Sequence, residues 1–129
     1  MELLKLLENC DWQEFEKLVS EILRVHDYAV HHNTNLTINK IRRQFDIIAH
    51  KKNYSLVVDC KKWRNKKTRV NALMKAAEKH AERCSFLGKI FDKKIMPAII
   101  TYAEEPIMNH CGVFIVPLNK LNDFILGLP

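Results

Sequence analysis

Two aspartates and a lysine stand at a spacing that could gather them into one hydrolytic site. The runs around Asp46 and Asp59 each have the pattern of a short β-strand, and the segment between them is short enough for a hairpin. If the chain turns at Lys52 and Asn53, counting outward by pairs places Asp46 directly opposite Asp59, with the side chains about 5 Å apart. Lys61 lies two residues beyond Asp59 and then points to the same face of the sheet. The spacing predicts one patch with two carboxylates and an ammonium group.

A patch of this kind is suited to metal-assisted hydrolysis of a phosphodiester. Two adjacent carboxylates repel each other unless a cation lies between them. Mg²⁺ prefers hard oxygen ligands and is usually held by one or two carboxylates together with substrate phosphate, so it is the expected cofactor, and Mn²⁺ can substitute for it. Such an ion polarises the phosphoryl group and supplies hydroxide near neutral pH. Lys61 would orient the attacking water or neutralise charge that develops on the phosphorus.

A third carboxylate, Glu16, belongs to a predicted helix over residues 11–25. Apolar side chains recur there at helical spacing, and Glu16 lies at the edge of the apolar stripe. From that edge it could reach the predicted metal patch as a direct ligand or as a group that orients a ligand. It could equally be an ordinary carboxylate that extends to water. The sequence leaves both interpretations open.

Positive charge is concentrated around the predicted patch. Of the 21 Lys and Arg residues, 11 fall between positions 40 and 69, where the only acidic residues are Asp46 and Asp59. A basic run can be merely a solvated surface. Beside a predicted metal site, contact with the phosphate backbone of a nucleic acid is the favoured interpretation, with contacts that position the strand rather than read its sequence. The candidate residues are Lys40, Arg42, Arg43, Lys62, Arg64, Lys66, Lys67 and Arg69.

The remaining pattern predicts the elements that must hold these residues. Strands are predicted over residues 28–33, 45–50, 56–63, 95–102 and 112–117, and helices over residues 11–25, 70–87 and 118–128. The polar and basic residues 34–43 are predicted to form a loop, Gly88 to cap the second long helix, and Arg83 to lie on that helix's outer face. Met74, Met96 and Met108 are predicted to fill the core. The order αβββαβ, with an extra strand and a C-terminal helix, predicts an α/β fold of the α+β type, in which helices flank a mixed sheet.

Composition limits the class of protein. A chain of 129 residues with 47% hydrophobic and 28% charged residues is typical of one folded domain, here residues 1–129, that needs no disulfide or structural metal. The four cysteines form no CxxC pair, and the histidines show no zinc-ligand spacing, so we expect a reducing, cytoplasmic location and no zinc site. No apolar run approaches the length of a membrane span. The absence of a glycine-rich loop argues against nucleotide-driven enzymes. The net charge of +6 makes a polyanion the first partner to consider.

These motifs resemble the PD-(D/E)xK nuclease superfamily. The matching residues are Glu16 in the run Phe-Glu-Lys-Leu-Val, Asp46 in Phe-Asp-Ile-Ile, and Asp59-Cys60-Lys61 followed by Trp63. The Mrr-like restriction endonucleases are the most similar branch, with archaeal Holliday-junction resolvases related to them. The resemblance implies a restriction-endonuclease-like fold and metal-dependent cleavage of DNA. It also implies that Asp46 and Asp59 bind metal, that Lys61 is the catalytic lysine and that Glu16 is the helix acid.

Three departures from the family pattern are visible in the sequence, one of which is that residues 41–44 replace the glycines that the Mrr-like branch often has before its first Asp. Phe45 stands where the motif is named for proline, and Asp59 stands where the Mrr-like branch more often has Gln or Glu. The expected activity is a Mg²⁺-dependent endonuclease, working on DNA as a homodimer so that two strands can be cut. Restriction-type and junction-resolving activities are not separated, and a fused or bound partner could supply recognition. The alternative is a catalytically inactive nucleic-acid-binding module on the same fold, because fold does not imply function.

Overall fold

The architecture is a mixed six-stranded β-sheet with helices on both faces. The computed structural model describes residues 12–61, 69–102, 105 and 107–129. The helices are α1 (Trp12–Val25), α2 (Arg69–Cys84), α3 (Leu87–Phe91) and α4 (Leu121–Leu126), the last preceded by a 3₁₀ turn at Leu118–Lys120. The strands are β1 (Ala29–Ile38), β2 (Ile41–His50), β3 (Tyr54–Lys61), β4 (Lys94–Thr101), β5 (Asn109–His110) and β6 (Val113–Pro117). The predicted α+β fold class is confirmed.

The sheet order is β1-β2-β3-β4-β6-β5. Strands β1, β2 and β3 form an antiparallel meander, whereas β4 pairs with both β3 and β6 in parallel. Parallel neighbours require a crossover connection, and α2 with α3 provides it between β3 and β4. Strand β3, which carries Asp59 and Lys61, is therefore a central strand and is buried on both faces up to Cys60.

Three clusters of buried side chains fill the space between the sheet and the helices. One side of the sheet packs against α1 and α4 through a cluster that includes Phe15, Val58 and Leu121. The other side packs against α2 and α3 through two clusters, which include Val57 and Leu73. Alternate residues of β3 face opposite layers, as the period of a strand requires. Among the described residues, no helix is sufficiently long and apolar to cross a bilayer.

The prediction of a loop over residues 34–43 is wrong. Strands β1 and β2 run through this segment and join in a two-residue turn, at which Ile38 pairs with Ile41. The turn residues Asn39 and Lys40 have φ angles of 51° and 67°, the left-handed conformation that matches the twist of a tight hairpin. Leu36 and Ile38 pack against the cluster on the α2 side, which stabilises the extended hairpin despite its polar composition.

Other corrections concern helix boundaries and one side chain in the second half of the chain. Helix α2 ends at Cys84, and Gly88 lies within the separate short helix α3 instead of capping α2. The left-handed residue that ends α3 is Asp92, with φ 50°. Met108 was predicted to be buried, but it is 74% exposed. The predicted C-terminal helix is shorter than residues 118–128, because its first three residues form the 3₁₀ turn.

Candidate active site

The site forms where β2 and β3 separate. The predicted register is confirmed, since Ile47 pairs with Val58 and His50 with Ser55, and the Lys51 N–H donates to the Tyr54 carbonyl across the turn at 2.9 Å. Asp46 and Asp59 are the next residues outward, just beyond the last ladder pair. There the Cys60 N–H donates to Asp46 Oδ2 at 3.0 Å, so a carboxylate takes the place of a backbone acceptor.

The two aspartates interact directly. Interaction between the two carboxyl groups raises the pKa of Asp46 and lowers the pKa of Asp59, so Asp46 is the group of the pair that takes up a proton more readily. Burial, the hydrogen bond with Asp59 and the negative charge of Asp59 raise the pKa of Asp46 to about 7. Asp59 is only 6% exposed, and although burial alone would raise its pKa, the hydrogen bond with Asp46 and nearby cations lower it below the ordinary value. The pair behaves as one acid and one base near neutral pH.

Lys61 lies on the same side as Asp59, as its position two residues further along the strand predicted. Its Nζ is 3.3 Å from Asp59 Oδ2. The backbone of Lys61 is fixed as well, because it pairs with Thr101 of β4 and its carbonyl accepts the Tyr102 N–H at 3.1 Å. The anchored strand therefore fixes the point from which the Lys61 side chain extends toward Asp59.

Glu16 approaches the pair from α1. Its side chain is buried, with 4% exposure, and its Oε1 has no hydrogen-bond partner among the described residues. Burial raises the pKa of Glu16, and the negative charge of Asp59 raises it further. A buried carboxylate without a donor is costly unless a cation or a proton compensates it. The interpretation of Glu16 as an exposed helix-edge carboxylate is therefore wrong.

The donor set fits a hard divalent cation held largely by water. Asp46, Asp59 and Glu16 offer carboxylate oxygens; Glu16 Oε1 is buried without a hydrogen-bond partner among the described residues, whereas buried Asp59 Oδ2 forms ion pairs. Within those residues, no three His, Cys, Asp or Glu side chains already converge as a complete metal-binding set. Mg²⁺ is commonly bound by one or two carboxylates, so this set matches its usual requirement.

Helix α2 contributes two site residues that the sequence analysis missed. Arg83 was predicted to face outward, but its Nη2 lies 3.6 Å from Asp59 Oδ2. Arg83 is in turn hydrogen-bonded to His80, which is fully buried. The available signal was that His80 falls on the apolar stripe of α2 with Leu73, Ala77 and Cys84, where a polar side chain needs buried partners.

The predicted nucleic-acid contacts divide into three groups. Lys40 and Arg42 are exposed near the turn of the β1–β2 hairpin. Arg43 is instead bound by Glu82 of α2, with Nη2 at 2.7 Å from Oε1, and its guanidinium lies over the Phe86 ring. The others, Lys62, Arg64, Lys66 and Lys67, lie outside the described residues, as does Trp63; Arg69 begins α2, but its side chain is outside them too.

Comparisons with known proteins identify the family and the fold. Residues 7–88 match the model of the Mrr-type catalytic domain, described as restriction endonuclease. An uncharacterized protein from Archaeoglobus fulgidus is 29% identical over 117 residues, which cover 91% of each chain. The crystal structure of a protein of unknown function aligns with a TM-score of 0.60 and 15% identity, over 79% of this chain. The aligned part spans 55% of that larger protein, so this likeness concerns the fold.

Nucleases of this type typically depend on a divalent metal, in keeping with the carboxylate oxygens of the site. The family match covers well over half of the chain and includes α1, both aspartates and Lys61. By this match, the chain belongs to the Mrr-like restriction endonuclease family, a family of nucleases and therefore of hydrolases.

Proposed function

We propose that this chain is a Mg²⁺-dependent endonuclease that hydrolyses phosphodiester bonds in DNA. One observation carries the proposal: two interacting carboxyl groups and a lysine lie together where β2 and β3 separate. A site of this composition, in a chain of net charge +6, matches a substrate that brings its own negative charge.

Asp46 and Asp59 are the residues that would hold the ion, with Glu16 as a further oxygen donor. When bound, Mg²⁺ would polarise the scissile phosphoryl group and lower the pKa of water beside it. Lys61 Nζ donates hydrogen bonds to the attacking water and to a non-bridging phosphate oxygen, so it orients the nucleophile and offsets developing charge. The shielding of Asp59 from solvent strengthens these interactions, because screening by water is reduced there.

The β1–β2 hairpin supplies part of the binding surface in this proposal. Lys40 and Arg42 lie at its exposed end and contact phosphates of the strand, while Arg43 holds the hairpin against α2 through Glu82. These contacts orient DNA without reading its sequence. Lys62, Arg64, Lys66, Lys67 and the side chain of Arg69 lie outside the described residues and stay candidates for phosphate contact on sequence grounds. A homodimer, in a reducing cytoplasm, would place two such sites on one duplex, and a fused or bound partner could supply recognition.

Cleavage of plasmid and of branched DNA, with Mg²⁺ or with EDTA, tests the proposal. We expect metal-dependent cleavage that falls at least about a hundredfold in Asp59→Asn and in Lys61→Ala, since each removes a group that stabilises the transition state. Lys75→Ala, on the exposed side of α2, is the charge-matched control and should cleave normally. Undiminished cleavage by both site variants would remove Asp59 and Lys61 from the mechanism.

The alternative is a nucleic-acid-binding module without catalysis. The observation in its favour is that the described residues contain no complete set of three metal-binding side chains. It predicts salt-sensitive DNA binding with no cleavage under Mg²⁺, Mn²⁺ or any other divalent ion. Calorimetry with Mn²⁺ separates the two functions, because the nuclease should bind the metal with an affinity that Asp46→Ala abolishes.

A further inference from the structure

Asp59 has a second cation that the proposed chemistry does not require. Lys61 Nζ and Arg83 Nη2 approach the same carboxylate oxygen, Oδ2, at 3.3 and 3.6 Å. One cation is sufficient to balance the charge of one carboxylate. The two cations come from different elements, β3 and α2. Arg83 therefore ties the helix to the strand at the reacting end of the site.

Arg83 is held in place by His80, which lies one helical turn earlier. His80 Nε2 is 2.9 Å from the Val57 carbonyl, and Nδ1 is 3.1 Å from Arg83 Nη2. A carbonyl can only accept, so Nε2 carries the proton, and Nδ1 of the neutral ring must then accept from Arg83. Because an arginine has no acceptor, this is the tautomer that satisfies both contacts.

The contacts form a closed path from β3 to α2 and back. Val57 lies two residues before Asp59 on the same strand, and its carbonyl accepts a hydrogen bond from the His80 ring. His80 in turn orients Arg83, which forms the ion pair with Asp59. His80 is fully buried and the side chain of Arg83 is 29% exposed, so the path is mostly shielded from water. Arg83 Nη2 makes both contacts, a hydrogen bond to His80 and an ion pair with Asp59, so the ring fixes the place from which the guanidinium charge acts on the carboxylate.

We propose that Arg83, oriented by His80, is a positioning residue that sets the rotamer of Asp59. Its charge attracts Oδ2 through the ion pair at 3.6 Å and leaves the other carboxylate oxygen for Asp46 and the ion site. It also takes over the structural counter-charge, so that Lys61 can act on the water and phosphate. The inference about Lys61 rests on the proposed nuclease function, whereas the positioning of Asp59 rests on geometry alone.

Four variants of the full-length chain test this proposal. Arg83→Gln removes the charge, Arg83→Lys keeps the charge without the guanidinium, His80→Gln removes the ring, and Lys79→Gln is a control on an exposed position of the same helix. Circular dichroism and thermal melts identify the variants that fold, and Arg83→Gln and Arg83→Lys keep the test decisive if His80→Gln does not. The measured quantities are kcat, KM and the Kd for Mn²⁺ in the absence of DNA.

We expect kcat to fall about tenfold to a hundredfold in Arg83→Gln and His80→Gln, the size of loss that a small misplacement of a reacting group causes. KM should change less than about threefold, and Arg83→Lys should recover only part of kcat. Lys79→Gln should match the unmodified protein. Full activity in folded Arg83→Gln, or full recovery by Arg83→Lys together with full activity in His80→Gln, would overturn the proposal.

Mn²⁺ binding separates positioning from simple charge and from failure of the nuclease function. If Arg83 were merely a neighbouring cation, its removal would reduce repulsion and tighten Mn²⁺ binding. Positioning predicts that Arg83→Gln binds Mn²⁺ about threefold to tenfold more weakly, because Asp59 loses its fixed rotamer. Tighter binding would overturn the proposal. If the unmodified protein binds Mn²⁺ but cleaves no DNA, the proposed nuclease function is wrong. Weaker Mn²⁺ binding by Arg83→Gln would still support the positioning of Asp59 by Arg83 in that case.

Discussion

Asp46 and Asp59 have identical side chains but opposite pKa shifts, and their surroundings explain the difference. Asp59 faces Lys61 and Arg83, which stabilise its negative charge, whereas Asp46 is buried beside the negative charge of Asp59, and these effects outweigh the stabilising hydrogen bond from the Cys60 N–H. The pKa of Asp46 is therefore the higher of the two. Without a bound cation, ionisation of Asp46 costs stability; this is a property of the arrangement that sequence spacing does not reveal.

This asymmetry predicts a pH-dependent effect of Asp46→Asn on stability. The pKa of Asp46 is about 7 in the folded chain and about 3.9 when unfolded, so between these values the folded state binds more protons. Its contribution to stability is then lost as pH rises from about 4 to 7. Asn cannot ionise, so its stability contribution does not change over that range. In EDTA, the free energy of unfolding of Asp46→Asn should therefore rise by about 1–2 kcal/mol relative to the original protein between about pH 4 and 7, after allowing for solvent screening.

Chemical denaturation at several pH values between 4.5 and 8 measures this gain. Asp123→Asn, at an exposed position of α4, is the control and should show no such trend. The contribution of Asp59 has the opposite sign, because its pKa is lowered on folding, and it is lost only as pH falls below about 4. A stability difference between Asp46→Asn and the original protein that does not vary with pH would contradict the raised pKa of Asp46.

At the scale of elements, the β1–β2 hairpin is the feature that changes most between the sequence-based prediction and the structure. Asn33 has φ 45° in the middle of β1, where the flanking pairs His32–Ile47 and Thr34–Phe45 set it opposite Asp46. On either side of this position β2 faces different layers, with Phe45 in the cluster on the α2 side and Ile47 in the cluster on the α1 side. The two strands thus change face at the site, which directs the hairpin past the carboxyl pair.

The hairpin turn gives a stability prediction of its own. Lys40 has φ 67°, and a non-glycine residue in that conformation costs about 1 kcal/mol. Lys40→Gly should therefore raise the free energy of unfolding by about 0.5–1 kcal/mol, measured by urea denaturation. The hairpin between β5 and β6 already has glycine at the equivalent position, where Gly112 has φ 78°. Lys52→Gly, in a turn without a left-handed residue, is the matched control and should lower stability.

At the scale of the molecule, the net charge of +6 matters only where cations are accessible. Arg42 is exposed, whereas the neighbouring Arg43 has a side chain 17% exposed and is paired with Glu82. The two residues contribute equally to the net charge, but they have different surroundings in the structure. Arg42 is accessible to the DNA substrate that we propose, whereas Arg43 joins the hairpin to α2.

This difference can be measured through the salt dependence of DNA binding. In the absence of a cleaving metal, Arg42→Gln should reduce the slope of log K against log salt concentration by about 1, because one phosphate contact is lost. Arg43→Gln should leave the slope nearly unchanged and lower stability by about 0.5–1 kcal/mol through loss of the partly exposed ion pair. Equal changes in slope for the two variants would contradict this division.

Local pattern by itself determined much of the fold and the central part of the site. The register of β2 and β3 follows from a short turn and the two-residue period of a strand, and this brought Asp46, Asp59 and Lys61 together in the prediction. The helical spacing of α1 identified the edge at which Glu16 lies. These inferences depend on residues near each other in the chain or related by one turn, where geometry leaves few alternatives.

Tertiary structure decided the features that depend on packing between distant segments. Arg83 lies 24 positions after Asp59, and the approach of α2 to β3 determines whether it faces water or the carboxylate. The extended hairpin needed the cluster on the α2 side to stabilise a polar segment, and the raised pKa of Asp46 needed the combined burial and charge of the assembled site. These features depend on long-range contacts and on desolvation. The sequence pattern does not give the distances between residues that are far apart in the chain, so it could not predict them.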